Sequence, residues 1–289
     1  MPDLDDGTMV RVWVAVVPVK SLTRAKSRLR GALPGVAHER LVLGLLRDTL
    51  TAVLACPVVD ELIVVTNEPR AAGLAAELGA RVAPDAPDAG LNPAIAHGAA
   101  LAGSVPVAAL TGDLPALRPA ELTAGLAAAG LATAANAAAA NAAAGGRGFV
   151  PDAAGTGTTL LTAPSGAALR PRFGPGSAAA HAASGAVPLV GPWPSLRLDV
   201  DTAADLKAAA ALGLGPATAR LYGAGMQGTV ATYDAEERSG TVLLDDGTEL
   251  VFPAAAFDAS GLRLLRPGQR VRLERRDGLV TALALITME

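Results

Sequence analysis

From residue 10 the chain alternates between two hydrophobic periods. VRVWVAVVPV (10–19) is an unbroken apolar run of strand length, the pattern of a strand buried on both faces. ERLVLGLLRDTLTAVLAC (39–56) follows, with Val42, Leu46, Leu50 and Val53 at helical spacing. DELIVVT (60–66) predicts a second strand, PRAAGLAAELGA (69–80) a short helix and RVA (81–83) a short strand. LNPAIAHGAALAG (91–103) predicts a helix, VPVAALT (105–111) a buried strand and PAELTAGLAAAG (119–130) a further helix. Such alternation predicts an α/β fold, a mostly parallel sheet with helices on both faces. Functional residues in such sheets lie beyond the carboxyl ends of the strands. Lys20, Asn67 and Asp113 all fall just after predicted strand ends. In LRLDVDTAADL (196–206), the alternation of Leu196, Leu198 and Val200 predicts one more strand end, with Asp199 and Asp201 on the same side of it. Thr202 and Asp205 fit a capping box that opens a helix, so Asp205 is expected to be structural.

The pattern changes after about residue 212. GLGPATARLYGAG (213–225) predicts a linker. Short β-type runs follow at 228–233, 240–244, 249–253, 270–275 and 279–285, with turns DDG (245–247) and RDG (276–278). Five short strands predict a small all-β barrel, so the chain divides into 1–212, a linker at 213–225, and 226–289. The alanine-rich segment 131–148 is of low complexity and is open to helix, loop or insertion.

Composition narrows the function classes. A hydrophobic fraction of 51% can bury a substantial core, although aromatics make up only 3%. The single cysteine, Cys56, rules out an intrachain disulfide framework and fits a reducing cytoplasm. The opening residues carry no signal-type segment, and no run approaches the roughly 18 apolar residues a membrane span needs. A net charge of −3 gives no electrostatic case for nucleic acid as the main partner.

The candidate chemistry is cationic on one side and acidic on the other. PVKSLTRAKSRL (18–29) holds Lys20, Arg24, Lys26 and Arg28, with Arg30 just beyond, and contains two of the chain's three lysines. A cationic loop at a strand end suits phosphates, although a solvated basic loop has the same composition. It is neither a Walker A loop nor a dinucleotide fingerprint. LTGDLPAL (110–117) places Asp113 after a buried strand. With Asp199 and Asp201 it makes three carboxylates that can share a magnesium ion opposite the cationic loop; helix capping at Asp113 and a solvated turn at the other two are the alternatives. VPDAAGTGTTLL (150–161) offers Thr156, Thr158 and Thr159 between glycines. RFGPGSAAAH (172–181) places Gly174, Gly176 and Ser177 where a helix would begin, an anion site if the amides are free and an ordinary cap otherwise. His181 lies one helical turn beyond Ser177, facing either the same pocket or solvent; the sequence assigns no role to His38 or His97.

Taken in order, VPVKSLTRAKSRL, the TN at 66–67, GLNPAIAHG, LTGDLPAL, VPDAAGTGTTLL, FGPGSAAAH and LRLDVDTAADL resemble the 2-phospho-L-lactate/phosphoenolpyruvate guanylyltransferases of coenzyme F420 biosynthesis, over roughly residues 10 to 212. The resemblance implies a nucleotidyltransferase fold like that of the molybdenum-cofactor guanylyltransferases. It also implies a reaction of GTP with a phosphorylated three-carbon acid that releases pyrophosphate. By position, it assigns Asp113, Asp199 and Asp201 to magnesium and Thr159, Gly174 and Ser177 to the acid. It assigns Lys20 and Lys26 to the GTP phosphates, with Lys20 among the catalytic residues and Asn67 at the nucleotide; Thr158 is inseparable from Thr159 at this level. The alanine and arginine bias of an actinobacterial type of sequence favours phosphoenolpyruvate over 2-phospho-L-lactate. A homodimer and hand-off of the product to the next enzyme are the partner expectations.

MQGTVATYDAEERSGTVLLDDGTELVFPAAAF with LRPGQRVRLE resembles a cold-shock domain, an OB-type barrel that stacks bases on aromatic rings. The resemblance is degenerate. SGTVLL (239–244) has no aromatic residue, LVFPAAAF (250–257) keeps only Phe252 and Phe257, and residues 226–289 carry 7 Arg and no Lys against 10 acids. Packing, dimerisation or regulation is therefore expected of it, and RNA binding is not. Two other readings stay open: a related nucleotidyl or glycosyl transferase with another nucleotide or acceptor, and an RNA-associated regulator with an inactive catalytic domain.

Overall fold

The computed structural model describes residues 13–23, 25–33, 36–86, 88–138, 146–245, 247–276 and 279–286. Arg24, part of the RDG turn and the centre of the alanine-rich segment lie outside the described residues. The chain forms two compact units, one of residues 1–29 with 42–217 and the other of 30–41 with 218–289.

The larger unit is built on a seven-stranded sheet. Its strands are β1 (Trp13–Val19), β2 (Val59–Thr66), β3 (Arg81–Ala83), β4 (Val107–Leu110), β5 (Gly148–Pro151), β6 (Thr158–Ala163) and β7 (Val187–Pro188), in the order β3-β2-β1-β4-β6-β5-β7. β1 pairs in parallel with both β2 and β4, and β2 with β3. β6 runs antiparallel to β4 and β5, so the sheet is mostly parallel rather than wholly so. Helices α1 (His38–Leu54), α2 (Pro69–Glu77), α3 (Leu91–Leu101) and α4 (Pro119–Ala138) join the strands, and α5 (Ser177–Ala183) lies between β6 and β7. The side chains of β1 alternate between two buried clusters: Trp13, Ala15 and Val17 join one with Leu46, Leu50 and Leu122, and Val14 and Val16 join the other with Ile95 and Phe149. A strand buried on both faces explains the unbroken apolar run in the sequence. Each fully buried Val or Leu contributes about 1.5–3 kcal/mol relative to an exposed one.

The structure corrects one sequence expectation in this region and adds detail to two others. Residues 196–200 do not form a sheet strand. Pro194 opens a one-turn helix, α6 (Pro194–Arg197), and Leu198 to Asp201 run on outside any sheet. Leu196 and Val200 are buried all the same, so the apolar spacing reports burial and not sheet pairing. The segment expected to be a linker contains a helix, α8 (Pro216–Gly225), again opening at a proline. The alanine-rich segment is helical at its start, where α4 continues to Ala138, and extended at its end, where β5 begins at Gly148. The capping box at α7 (Ala203–Leu212) is as expected: the Asp205 N–H donates to Thr202 Oγ1, and Asp205 Oδ2 accepts from the Thr202 N–H.

The second unit contains a five-stranded antiparallel sheet ordered β10-β9-β8-β11-β12, formed by Gln227–Asp234 (β8), Ser239–Leu244 (β9), Glu249–Phe252 (β10), Arg270–Arg276 (β11) and Leu279–Leu285 (β12). A six-residue helix, α9 (Ala254–Ala259), interrupts the strands where the sequence predicted none. Phe252 and Phe257 are buried in the core of this unit with Val242, Val271 and Leu273. Tyr233 lies against both rings, at centroid distances of 6.4 and 5.0 Å. The two phenylalanines kept from the cold-shock pattern therefore pack inward and present no face to a base.

Candidate active site

The ends of β1 and β4 and the start of β6 meet at one edge of the larger sheet. Leu110 at the end of β4 pairs with Leu160 near the start of β6, which brings Asp113 and Thr158 to the same edge. The 198–201 segment is drawn in by a backbone bond from Val200 N–H to the Asp113 carbonyl, 3.0 Å. A cavity of about 810 Å³ opens there, lined among others by Lys20, Lys26, Asp113, Thr158, Ser177 and Asp199.

Carboxylate oxygens of Asp113, Asp199 and Asp201 lie within 4.8 Å of one another. Lys26 reaches into this group and forms ion pairs with Asp113 and Asp201. Burial works against the Lys26 charge, but the two carboxylates more than offset it and hold the ammonium's pKa above its ordinary value. Lys26 has φ 53°, a left-handed conformation that costs a non-glycine residue energy and here aims the side chain at the acids. Asp199 shows the opposite balance. Burial, with Asp113 and Asp201 nearby and Lys26 opposing, pushes its carboxyl up to about 7. Asp113 Oδ1 is buried and has no hydrogen-bond partner among the described residues. Three hard oxygen donors with one buried lone oxygen fit a magnesium ion.

Two loops wall the cavity on the β6 side. In the first, Asp152 accepts from the N–H groups of Thr156 (2.9 Å) and Gly157 (2.8 Å). A Cβ on Gly157 would meet Asp152 Oδ2 at 2.4 Å, so a larger residue there would displace the Asp152 carboxylate from these N–H groups. Arg197 donates from Nε to Pro151 O and from Nη2 to Asp152 O, tying this loop to the segment that carries Asp199. In the second, Asn92 clamps Phe173: its Oδ1 accepts from Phe173 N–H (2.7 Å) and its Nδ2 donates to Phe173 O (3.0 Å). Gly174 and Ser177 follow and line the cavity. The N–H groups of Ser177 and Ala178 are already donated to Gly174 O and Thr156 O, so the expected row of free amides at this helix start is partly used internally.

The structure separates the two threonines that the sequence left joined. Thr158 lines the cavity, while the fully buried Thr159 hydroxyl lies 3.5 Å from the Val150 carbonyl. Successive strand residues face opposite ways, so a role for Thr159 at the cavity would fall to its main chain. Lys20 stands apart from the acid cluster. It pairs with Asp85 and, at 3.1 Å, with Asp88, beside a second cavity of about 460 Å³. Burial lowers the Lys20 pKa, but the two carboxylates raise it further, so the net shift is upward. Asn67 holds this edge through a reciprocal pair with the Asp85 main chain, at 2.9 and 3.0 Å. Asp85 is buried, and its Oδ1 has no partner among the described residues. Asn92, Asp152 and Arg197 lie inside the ordered motifs and Asp85 outside them, but spacing alone singles out none of the four; each acts through a partner at least four residues away.

His181 is fully buried. Its Nδ1 lies 2.9 Å from Thr158 Oγ1, and its Nε2 accepts from the Arg172 N–H at 2.9 Å. It is neither a surface group nor exposed to the cavity.

Among the described residues no helix is long and apolar enough to cross a membrane. The MobA-like NTP transferase domain family matches residues 44–243. A phosphoenolpyruvate guanylyltransferase of Salinispora arenicola is 59% identical over 215 residues, covering 74% of this chain and 95% of that protein. The protein of the same name in Geodermatophilus obscurus is 54% identical over 219 residues, covering 74% and 95%. Among solved structures, a nucleotidyl transferase from Methanothermobacter thermautotroptrophicus is 21% identical and covers 70% of this chain and 97% of that one, with a TM-score of 0.41.

Proposed function

Because the chain belongs to the MobA-like NTP transferase family and, within it, to the phosphoenolpyruvate guanylyltransferases, we propose that it moves GMP from GTP onto phosphoenolpyruvate and releases pyrophosphate. The observation that carries this reading is the meeting of Asp113, Asp199 and Asp201 with Lys26 in one cavity whose far wall offers Thr158 and Ser177. Phosphoryl chemistry needs that combination of cation-binding carboxylates and anion-binding groups.

A phosphate oxygen of the acid forms a bond to the α-phosphorus of GTP. The bond from that phosphorus to the bridging oxygen breaks, and its electron pair leaves on pyrophosphate. The nucleophile is already anionic, so no side chain has to remove a proton, and rate rests on position and charge. Asp113, Asp199 and Asp201 would hold magnesium, which when bound offsets negative charge on the phosphate oxygens. Lys26 and, from the edge of the cavity, Lys20 bind triphosphate. Thr158, Gly174 and Ser177, with Thr159 through its main chain, face the acid. The Asp85 carboxylate, steadied by Asn67, can accept the N–H groups of a guanine edge in the second cavity.

The reaction belongs to coenzyme F420 biosynthesis in the cytoplasm, with 2-phospho-L-lactate as the competing acid. Residues 1–212 are the catalytic domain. Residues 226–289 are a cold-shock-like OB barrel that serves packing, dimerisation or regulation. The buried Phe252 and Phe257 support that assignment over RNA binding. Incubating the protein with each NTP, magnesium and either acid, with mass detection of the product, tests the reading. Pyrophosphate release with GTP and phosphoenolpyruvate is expected. Release with another nucleotide or acceptor only, or none at all beside tight single-strand binding, would overturn it.

A further inference from the structure

We propose that His181 is a positioning residue that fixes the direction of the Thr158 hydroxyl, so that Thr158 donates its proton to an anionic group of the acceptor acid. The placement of the acid rests on the proposed function; the hydrogen-bond direction does not.

The Arg172 backbone N–H can only donate, so His181 Nε2 must accept. The proton of a neutral ring then sits on Nδ1 and is donated to Thr158 Oγ1 across 2.9 Å. With a lone pair of Oγ1 held in this way, the hydroxyl hydrogen is left to point elsewhere. Among the described residues no protein acceptor takes it, and Thr158 lines the main cavity. The threonine is thus a one-way donor, suited to a carboxylate or phosphate oxygen. Its place in the sheet sets which substrate it meets. β6 lies on the far side of β4 from β1 and β2, whose ends carry Lys20 and Asn67. The acid cluster lies between, so Thr158 is on the acceptor flank.

Hydrogen bonds at both nitrogens set the ring's orientation, and it packs against Phe149 and Phe173 at centroid distances of 5.9 and 5.1 Å. Burial, with Arg147 and Arg172 nearby, lowers its pKa to about 4, which keeps it neutral at the pH of the cell.

Two measurements test this. Long-range proton–nitrogen spectra of the full-length protein labelled in histidine should show the His181 ring as the neutral Nδ1–H tautomer near pH 7. An Nε2–H or charged ring would overturn the proposal whatever the substrate is. Kinetics then read the consequence. Loss of a hydrogen bond to a charged group is worth roughly tenfold in binding or more. His181→Gln, which can still accept from Arg172 but not reach Thr158, should raise KM for phosphoenolpyruvate roughly tenfold, with KM for GTP little changed. His181→Asn, whose amide stands near Nδ1, should recover most of that loss. In a Thr158→Val background the His181→Gln change should have no further effect on the acid's KM. Equal effects in both backgrounds, with both variants folded, would overturn the proposal. Absence of turnover in the wild type with the expected tautomer would instead sink the proposed substrate alone.

Discussion

The Val200 N–H donates to the Asp113 carbonyl oxygen at 3.0 Å. One main-chain bond thus joins two segments more than eighty residues apart and brings Asp199 and Asp201 beside Asp113. Because the bond is made by main chain, the acids can be altered without removing it. Asp113→Asn or Asp199→Asn is expected to lower kcat by about 10²–10³-fold or more while the far-UV circular dichroism and melting profile stay close to those of the wild type. Near-normal turnover in a folded variant would remove the metal assignment.

Asp199 predicts a pH dependence for the cation. Its carboxyl is raised to about 7 by burial and by the neighbouring Asp113 and Asp201, so below that pH a proton occupies a position the cation needs. The magnesium concentration at half-maximal rate should rise as pH falls from 7.5 to 6 and level off above about 8. Magnesium titrations at several pH values read this directly; a flat profile in that range contradicts the placement of Asp199 as a ligand.

His181 predicts an acid limit to stability. The folded ring has its pKa lowered to about 4, first by burial and then by Arg147 and Arg172, against 6.5 in the unfolded chain. Protonation therefore favours the unfolded state, and stability present above pH 6.5 is lost as pH falls toward 4. Linkage puts the loss at about 2 kcal/mol by pH 5. Urea unfolding of the wild type at pH 7.5 and 5, compared with His181→Asn, should show a smaller pH effect in the variant.

Asp85 predicts base selectivity. A buried carboxylate with one lone oxygen accepts two N–H donors well, and an amide in its place offers one acceptor and one donor. Asp85→Asn is expected to weaken GTP by about tenfold or more relative to ITP, which lacks the exocyclic amino group. An unchanged GTP-to-ITP ratio in steady-state kinetics would take Asp85 out of base recognition.

Every residue assigned to chemistry lies in the larger unit. Deleting residues 226–289 is therefore expected to leave measurable pyrophosphate release. Residues 30–41 group with the second unit, so the truncated chain should also melt at a lower temperature. Complete loss of activity with a folded core would show that the second unit takes part in the reaction.

What the sequence determined by itself was whatever depends on local periodicity and on residue type in order. Strands β1 to β4 and helices α1 to α4 were legible because an apolar run or a 3.6-residue stripe reports burial directly. The capping box at Thr202 and Asp205 was legible because both partners lie within one turn. The seven ordered motifs were enough to place the chain in its family, and Asp113, Asp199, Asp201 and Lys26, which lie in them, meet in one cavity. Tertiary structure decided the rest, because the deciding contacts span tens of residues. The 196–200 segment looked like a strand since a buried helical turn and extended chain can show the same apolar spacing; only packing distinguishes them. Thr158 and Thr159 differ in which face of β6 they occupy, which depends on pairing with β4 and β5. His181 looked equally like a surface group and a pocket group. Its role follows from bonds to Thr158 and Arg172 and from two phenylalanine rings around it, contacts that no short window of sequence contains.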